Sequence, residues 1–379
     1  MEFYNFANIP TPSFTNELLF NGKPFYDFGI NNIYPQELLE ISDKSVTHTA
    51  CLEFKNLAIQ GEGYTNLTPE ADSWMKAQDY RTEFTTILNK IALSLSIFDG
   101  YAIQVIWDKS ATKVTNMYFT NFENVRVGKC DEWGIPQEYY LNDDWINYPT
   151  SYTPIKPFDM DKKAIKAAGG RQLLYIINKS GKSICYPNPR YASAINFIFA
   201  EYEMSVHQLS SIANGFSLSK IFTFIGNPSM EQREENKFRF DNAFRGSKNA
   251  GKVIVEYVET PDQKVQVTDL TPSTIVDQYT QAKTLAQSSI LTAHGITSPA
   301  LLGLSDGNQS IFSNGQELMA AYNVFFTNKI KPYHKLIEEG MNLVLEAAGF
   351  PNEQYKIVPY MPIQVDNTQN VQANNEIKK

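Results

Sequence analysis

The tetrapeptide Ser180-Gly181-Lys182-Ser183 is the first candidate for chemistry in this chain, because it matches the end of a phosphate-binding loop. In the complete motif, G-x-x-x-x-G-K-[ST], an earlier glycine allows backbone N–H groups to surround the phosphates. The corresponding position here is Ile176. We therefore interpret the tetrapeptide as a surface turn and not as a nucleotide site.

The histidines and carboxylates are the other candidates for chemistry. His48, His207, His294 and His334 have no metal-ligand spacing, and we interpret each as a residue on a helix surface or at a helix end. The two carboxylates within 158–163 precede lysines and indicate a solvated surface. No nucleophile–base pair, metal cluster or cofactor loop can be assembled, so the sequence predicts neither a cofactor nor an enzymatic activity.

Composition and charge limit the function further. The chain has 379 residues, 42% of them hydrophobic, which is enough for a sizeable core. A net charge of −8 excludes a basic DNA clamp, because non-specific DNA binding depends on neutralising phosphates. Cys51, Cys130 and Cys185 are far apart and predict no disulfide framework, which fits a reducing compartment. We expect neither a signal peptide nor a membrane span.

The first half of the chain predicts mixed helices and strands. Helical spacing predicts helices over 45–61 and 83–100. The apolar face of the first is formed by Val46, Ala50, Phe54, Leu57 and Ala58. Alternating residues predict strands over 101–108, 113–119, 135–141 and 171–177. The segment 142–170 has little pattern, and we predict an extended loop there.

The second half predicts two long helices that flank an insert. A heptad-like seam predicts a helix over 189–214. The seam consists of Ala192, Ile195, Phe199, Tyr202, Val206, Leu209 and Ala213. A second helix over 272–294 begins after Thr271 and ends at Gly295. Because the two helices leave and return at the same place, we predict an antiparallel pair with 215–270 at its tip.

The insert itself predicts a small α+β unit. Residues 216–226 have the pattern of a strand, and Ser229 with Gln232 forms a capping box that opens a helix over 230–245. Residues 251–270 predict a hairpin that turns at Pro261-Asp262.

A glycine-punctuated polar stretch lies between the second long helix and the last one. It covers 305–315 and follows an apolar run at 296–304. The final helix is predicted over 316–348, with a kink at Pro332 and an end at Gly349. A flexible polar loop between two rigid helices is suited to project from the body of the protein.

Five segments, in this order and spacing, resemble the portal proteins of tailed bacteriophages over about residues 30–350. They are NNIYPQELLEISDKSVTHTACLEFKNLAIQGEGY at 31–64, YPNPRYASAINFIFAEYEMSVHQLSSIANGF at 186–216, EENKFRFDNAFRGSKNAGKVIVEY at 234–257, ILTAHGITSPALLGL at 290–304 and SNGQELMAAYNVFFTNKIKP at 313–332. The last two form the most specific match.

The resemblance implies an α+β portal fold. Its parts would be an α/β wing at 1–187, a first stem helix at 188–214, a small α+β clip at 215–270, a second stem helix at 271–295, a tunnel loop at 296–316, a long wing helix at 317–350 and a C-terminal tail at 351–379 that can return to the wing as a strand. The chain is short for this family, so we expect the helical crown to be minimal or absent.

The resemblance also implies a function in the virion. Copies of the chain would form a ring, usually of about twelve subunits, at one capsid vertex, after assembly in the bacterial host cytoplasm. DNA would be packaged and ejected through the central channel. The implied partners are the major capsid protein, the large terminase, a head–tail adaptor and double-stranded DNA that passes non-specifically, with no membrane.

Two groups of residues follow as candidate sites of such a portal. The channel-loop residues are Leu304, Ser305, Asp306, Gly307, Asn308, Gln309, Ser310, Ile311, Phe312, Ser313 and Asn314. They include no Lys or Arg, and a wall without cations does not grip phosphates. The clip residues expected to bind terminase or connector are Glu231, Arg233, Glu234, Glu235, Lys237 and Arg245.

Two other classes of protein remain open. A hydrolase or transferase would use 304–315 as a lid, although the sequence supplies no catalytic group for it. Another capsid-associated head–tail structural protein would share the location, but such adaptors are usually smaller and lack the helix–insert–helix plan.

Overall fold

A computed structural model of the chain describes residues 22–29, 31–80, 86–179, 185–213, 220–226, 229–235, 253–258, 272–303 and 315–361. These residues form a mixed fold of helices and sheets, as the sequence predicts. The chain divides into two compact units. The large unit comprises Met1–Ile198 with Ser289–Lys379, and the small unit comprises Phe199–Ser288.

Helices form much of the first part of the large unit. They are α1 Tyr34–Ser42, α2 Val46–Gln60, α3 Pro69–Asp79, α4 Ile87–Phe98 and, further on, α5 Lys162–Ala167. Helix α2 begins after Ser45, whose side chain accepts a backbone hydrogen bond, and ends at Gly61 with φ of 61°. Helix α4 ends at Asp99 in the left-handed conformation. The helices predicted over 45–61 and 83–100 are therefore confirmed.

A six-stranded sheet lies beside these helices. The strands of the large unit's first half are β1 Tyr64–Thr65, β2 Gly100–Trp107, β3 Val114–Thr120, β4 Val125–Val127, β5 Tyr139–Leu141, β6 Thr153–Pro157 and β7 Arg171–Ile177. The sheet order is β3-β2-β7-β6-β5-β4. The β6–β7 pair is parallel, and the other neighbours are antiparallel.

The prediction of an extended loop over 142–170 is wrong, because this segment contains β6 and α5. Strand β6 carries two prolines, and only Ile155 on it is buried, so it shows no apolar alternation. The strand predicted over 135–141 is also shorter than expected and begins at Tyr139. Both errors arise where pairing with neighbouring strands decides the conformation more than the local sequence does.

The last part of the large unit is a long interrupted helix. Its pieces are α9 Gly315–Phe325, a π-helical turn Phe326–Ile330 and α10 Lys331–Ala347. We predict a kink at Pro332, and the irregular turn lies just before it. Proline has no N–H for the carbonyl of Asn328, so a wider turn forms there. After α10, β10 Lys356–Ile357 pairs antiparallel with β1.

Helix α10 packs against the sheet at Gly340. A Cβ atom at this glycine would collide with the Tyr101 hydroxyl on β2 and the Ile176 side chain on β7. The Tyr101 hydroxyl donates a hydrogen bond of 3.0 Å to the carbonyl of Leu336. The absence of a side chain at Gly340 thus sets how closely the helix approaches the strands.

The small unit contains parts of two long helices and a pair of strands. Helix α6 is Ile195–Ala213, the strands are β8 Lys220–Ile225 and β9 Val253–Val258, a helix α7 is described over 230–235, and α8 is Pro272–His294. Helix α6 follows a 3₁₀ turn at Ala192–Ala194, so it starts later than the predicted 189. The Tyr279 hydroxyl of α8 donates a 2.5 Å hydrogen bond to the Met204 carbonyl of α6.

The insert between α6 and α8 matches the predicted pattern where the structure describes it. The Ser229 N–H donates to the Gln232 side chain at 3.0 Å, and the Gln232 N–H donates to Ser229 Oγ at 3.4 Å. This confirms the capping box that begins α7. Strands β8 and β9 are parallel, so the chain crosses over between them. The turn predicted at Pro261-Asp262 lies outside the described residues.

Substitution of Gly340 by Ala tests the contact between α10 and the sheet. Alanine favours a helix by about 1 kcal/mol over glycine, but the added methyl group overpacks the contact with Tyr101. We expect the overpacking to dominate and the free energy of unfolding to fall by about 1–2 kcal/mol. Urea unfolding measures this change. The exposed Glu339→Ala is the control, and a Gly340→Ala protein more stable than the wild type would contradict the packing.

Candidate functional site

The predicted channel loop is described at its two ends. Residues 304–314 themselves lie outside the described part of the chain. Before them, a 3₁₀ turn at Pro299–Leu302 ends at Gly303 with φ of +73°. After them, α9 begins at Gly315, and the 3₁₀ turn contacts both α9 and α2. The loop therefore leaves and rejoins the large unit at neighbouring points.

The end of helix α8 makes a tight contact with the π-helical turn. Its last residue, His294, is followed by Gly295 with φ of +76°. A Cβ atom at Gly295 would collide with the aliphatic part of the Lys329 side chain. Glycine is required there both by the left-handed backbone and by the close approach of Lys329.

Next to this contact lies a group of charged and aromatic residues, which we call the Asp99 cluster: the buried Lys55, Asp99 and Tyr333, and the half-buried Arg190. Lys55 Nζ is 3.5 Å from Asp99 Oδ1, and the two side chains are only 6% and 1% exposed. The other carboxylate oxygen accepts a 3.0 Å hydrogen bond from the Arg190 backbone N–H. The Tyr333 hydroxyl donates to Asp99 Oδ1. One carboxylate thus joins α2, the end of α4, the chain before α6, and α10.

The electrostatics of the Asp99 cluster favour a structural role. Burial lowers the pKa of Lys55, and Asp99 opposes this by favouring the ammonium form. Burial also raises the pKa of Tyr333, so its hydroxyl keeps its proton and remains a hydrogen-bond donor. Two cations lie close to the centre of the Tyr333 ring, with Lys55 Nζ at 4.7 Å and the Arg190 guanidinium carbon at 5.0 Å. These four residues hold elements of the large unit together.

Two histidines form a second buried contact next to the cluster. His48 Nδ1 and His294 Nε2 are 2.9 Å apart, and Tyr191 stacks on the His294 ring. Burial lowers the pKa of His48 to about 3 and that of His294 well below its ordinary value, so both rings are neutral at pH 7. The structure therefore ties the end of α8 to α2.

The interpretation of the histidines as residues on a helix surface or at a helix end is wrong for His48 and His334 and is confirmed for His207 and His294. His48 on α2, His294 and His334 on α10 are buried, although His294 does end its helix as predicted, whereas His207 is exposed. Their spacing shows no metal site, and within the described residues no group of three or more His, Cys, Asp or Glu side chains is placed to hold a metal ion.

A sequence signal for the buried polar residues of α2 does exist. His48, Cys51, Leu52, Lys55 and Ile59 are buried at helical spacing. The face predicted from apolar residues alone is different, and it includes residues that are exposed. If His48 and Lys55 are counted together with the apolar residues at helical spacing, the pattern predicts the buried side of α2.

The predicted clip residues are described only in part. Glu231, Arg233, Glu234 and Glu235 lie on α7 and are exposed. Lys237 and Arg245 lie outside the described residues. Across the described ranges, no helix combines the length and apolar character needed to cross a bilayer.

Comparison with known proteins gives structural similarities only, since no protein-family model and no curated protein sequence matches the chain. A chain in the neck of an empty GTA particle, computed with C6 symmetry, has a TM-score of 0.56 and 12% identity over 90% of this chain and 87% of that chain. An HK97 family phage portal protein from Corynebacterium diphtheriae has a TM-score of 0.49 and 12% identity over 86% and 95%. A chain in the neck of a native GTA particle, computed with C12 symmetry, has 0.47 and 13% over 90% and 88%.

The first of these similarities shows a shared fold with a particle-neck chain. It extends over nearly the whole length of both chains. A phage portal protein, from the family that the sequence resembles, is among the proteins named above. At identities this low, the fold is what the comparison establishes.

A double-mutant cycle tests the Asp99 cluster. In Asp99→Asn the amide can keep the left-handed backbone, but Lys55 loses its only buried carboxylate partner within the cluster. We expect a loss of about 3 kcal/mol in the free energy of unfolding. Lys55→Met should cost less, because Asp99 keeps the donors from Arg190 and Tyr333.

The double variant Lys55→Met with Asp99→Asn should lose less than the sum of the single losses, with a coupling above about 1 kcal/mol. The matched control is the Lys335–Glu339 pair on α10, whose side chains are 77% and 58% exposed. Its coupling should stay below about 0.5 kcal/mol. Equal couplings for the two pairs would show that the buried contact does not hold the helices together.

Proposed function

We propose that this chain is a portal protein, whose copies form a ring at one capsid vertex around a channel for packaging and ejecting DNA. The observation that carries the proposal is the fold shared with a particle-neck chain, at a TM-score of 0.56 over 90% of this chain. The ordered motifs of the sequence support it independently. In this role the protein acts in the virion as a head–tail connector.

The large unit would be the wing, α6 and α8 the stem, and residues 215–270 the clip. The separation of Phe199–Ser288 as a compact unit supports this division. So does the hydrogen bond between Tyr279 on α8 and Met204 on α6, which joins the two helices as an antiparallel stem requires. The clip would then lie where the two helices are bridged by β8, α7 and β9.

The ring would be held in part by apolar side chains on the stem. Leu209 on α6 is 68% exposed, and Leu285 on α8 is 58% exposed. Exposed leucines on paired helices are surface that a neighbouring subunit can cover. We propose that adjacent copies, expected to number about twelve as in similar rings, pack on these residues.

The tunnel loop of this portal would be residues 304–314, which contain no cation. Duplex DNA carries one charge per roughly 1.7 Å of its axis, so lysine rings would make a sticky wall. Polar side chains such as Asn308 and Gln309 make weaker, exchangeable contacts. A loop with both ends attached to the large unit can move while its base stays fixed.

The other partners follow from the position in the particle. The wing would contact the major capsid protein, and the clip would bind the large terminase during packaging and a head–tail adaptor afterwards. Exposed Glu231, Arg233, Glu234 and Glu235, with Lys237 and Arg245, would form that surface. ATP hydrolysis would belong to the terminase, so the chain itself would have no enzymatic activity and need no cofactor.

Electron microscopy and native mass measurement of the purified chain test the proposed ring. We expect rings with a central hole and a mass that is a multiple of the chain mass.

Leu209→Glu combined with Leu285→Glu should shift the protein to monomers without loss of its fold, because charges replace the apolar contacts. The control Gln208→Glu adds a charge at an exposed polar position of α6 and should leave rings intact. A wild-type protein that is monomeric at high concentration, or that turns over ATP alone, would refute the proposal.

Substitution of Asn308 by Lys tests the proposed tunnel loop. Each subunit would add one positive charge facing the DNA, so translocation should slow while ring assembly is unchanged. The defect should diminish as ionic strength rises, because salt screens phosphate contacts. Packaging rates of purified particles at low and high salt measure this effect. Wild-type rates at low salt would show that the loop does not face DNA, and Asn308→Ser serves as the uncharged control.

A further inference from the structure

Two cysteines that are distant in the sequence meet in the large unit. The Sγ atoms of Cys130 and Cys185 are 3.4 Å apart, although the residues are separated by 55 positions. Cys130 follows β4 and pairs with Pro136 across the arm that leads to β5. Cys185 precedes Tyr186, on the chain between β7 and α6. Neither of them forms a disulfide in this structure.

Hydrogen bonds around Tyr186 hold the two cysteines together. The Tyr186 hydroxyl donates to the Tyr26 carbonyl at 2.5 Å and accepts from the Val127 N–H at 2.9 Å. The Tyr175 hydroxyl donates to the Cys185 carbonyl at 3.3 Å. The chain at Cys185 is therefore fixed to the end of β4 and to β7, and the proximity of the thiols does not depend on the thiols themselves.

The two thiols differ in exposure, as a reacting pair requires. Cys185 is 4% exposed, whereas Cys130 is partly exposed. An oxidant in solvent therefore reaches the Cys130 thiol more readily than the Cys185 thiol. The sulfur atoms must approach by about 1.4 Å to reach bonding distance, and rotations of the two side chains can supply this without unfolding the arm.

We propose that Cys130 and Cys185 are a site of reversible oxidation that forms an intramolecular disulfide when the protein meets a disulfide oxidant. The Cys130 thiolate attacks one sulfur of glutathione disulfide and releases one glutathione thiolate. The Cys185 thiolate then attacks the Cys130 sulfur and releases the second. The two cysteines lose two electrons and two protons, and glutathione disulfide is reduced to two molecules of glutathione.

The bridge would have a defined structural effect. It would tie the β4–β5 arm to the chain that leads into α6 and close a loop of 55 residues. A cross-link of this span restricts the unfolded chain, so the oxidised protein should be the more stable form. The proposal stands whether or not the chain is a portal protein, because it depends only on contacts within the large unit.

Thiol counting on the full-length wild-type chain tests the site directly. The folded protein is treated with glutathione disulfide, quenched with acid, denatured and titrated. We expect the count to fall from the three cysteines of the sequence to one, and peptide mapping should join Cys130 to Cys185. Reduction should restore all thiols, and the melting temperature should be a few degrees higher in the oxidised form.

Three single variants separate this site from general thiol reactivity. Cys51 on α2 is fully buried, and Cys51→Ala should still form the bridge. Cys185→Ala should stop at a glutathione adduct on Cys130, and Cys130→Ala should not react. A wild-type chain that keeps all its thiols, bridges through Cys51, or stops at the adduct would overturn the proposal. The wild-type peptide map decides this even where a variant fails to fold.

Discussion

The carboxylate of Asp99 is the group on which the arrangement of the large unit depends. A buried charge costs several kcal/mol unless it is paired and hydrogen-bonded. Asp99 meets this requirement only if Lys55 on α2, the Arg190 N–H before α6 and Tyr333 on α10 are all in place. Its own carbonyl also accepts a 2.8 Å hydrogen bond from the Asn178 N–H. Elements that are far apart in the sequence are thereby brought to one point.

The Asp99 cluster also provides a fixed base for the segment next to it. Helix α8 ends at His294, whose ring contacts His48 and stacks on Tyr191, and Gly295 packs directly on Lys329. In the proposed portal, these contacts would hold in position the chain that leads to the loop at 304–314.

Local chemistry in the sequence predicts much of this fold, while the cluster depends on distant contacts. The capping residues Ser45 and Gly61, and the capping box of Ser229, act within a few residues, so helix ends could be predicted from them. The pairing of Lys55 with Asp99 spans 44 residues, and that of Tyr333 with Asp99 spans 234, so no local pattern encodes either. The strand at 153–157 was missed for the same reason, since its partners on both sides define it.

Helix α2 shows how tertiary pairing can reverse the expected orientation of a helix. Val46 is 83% exposed and Leu57 is 42% exposed, while Lys55 and His48 point into the large unit. Phe54, from the predicted apolar face, packs on Tyr322 and Phe325 of α9, so that face is covered only in part.

The charged residue inside α2 and the apolar residues outside it have different physical consequences. The buried Lys55 contacts both Asp99 and the Ser96 carbonyl of α4, so these contacts specify the packing of α2 against α4 more than they stabilise it. Exposure of the apolar Val46 side chain to water does not stabilise the protein, and a neighbouring subunit in the proposed ring would cover this side chain. The buried polar residues of the same helix thus fix its packing within the large unit.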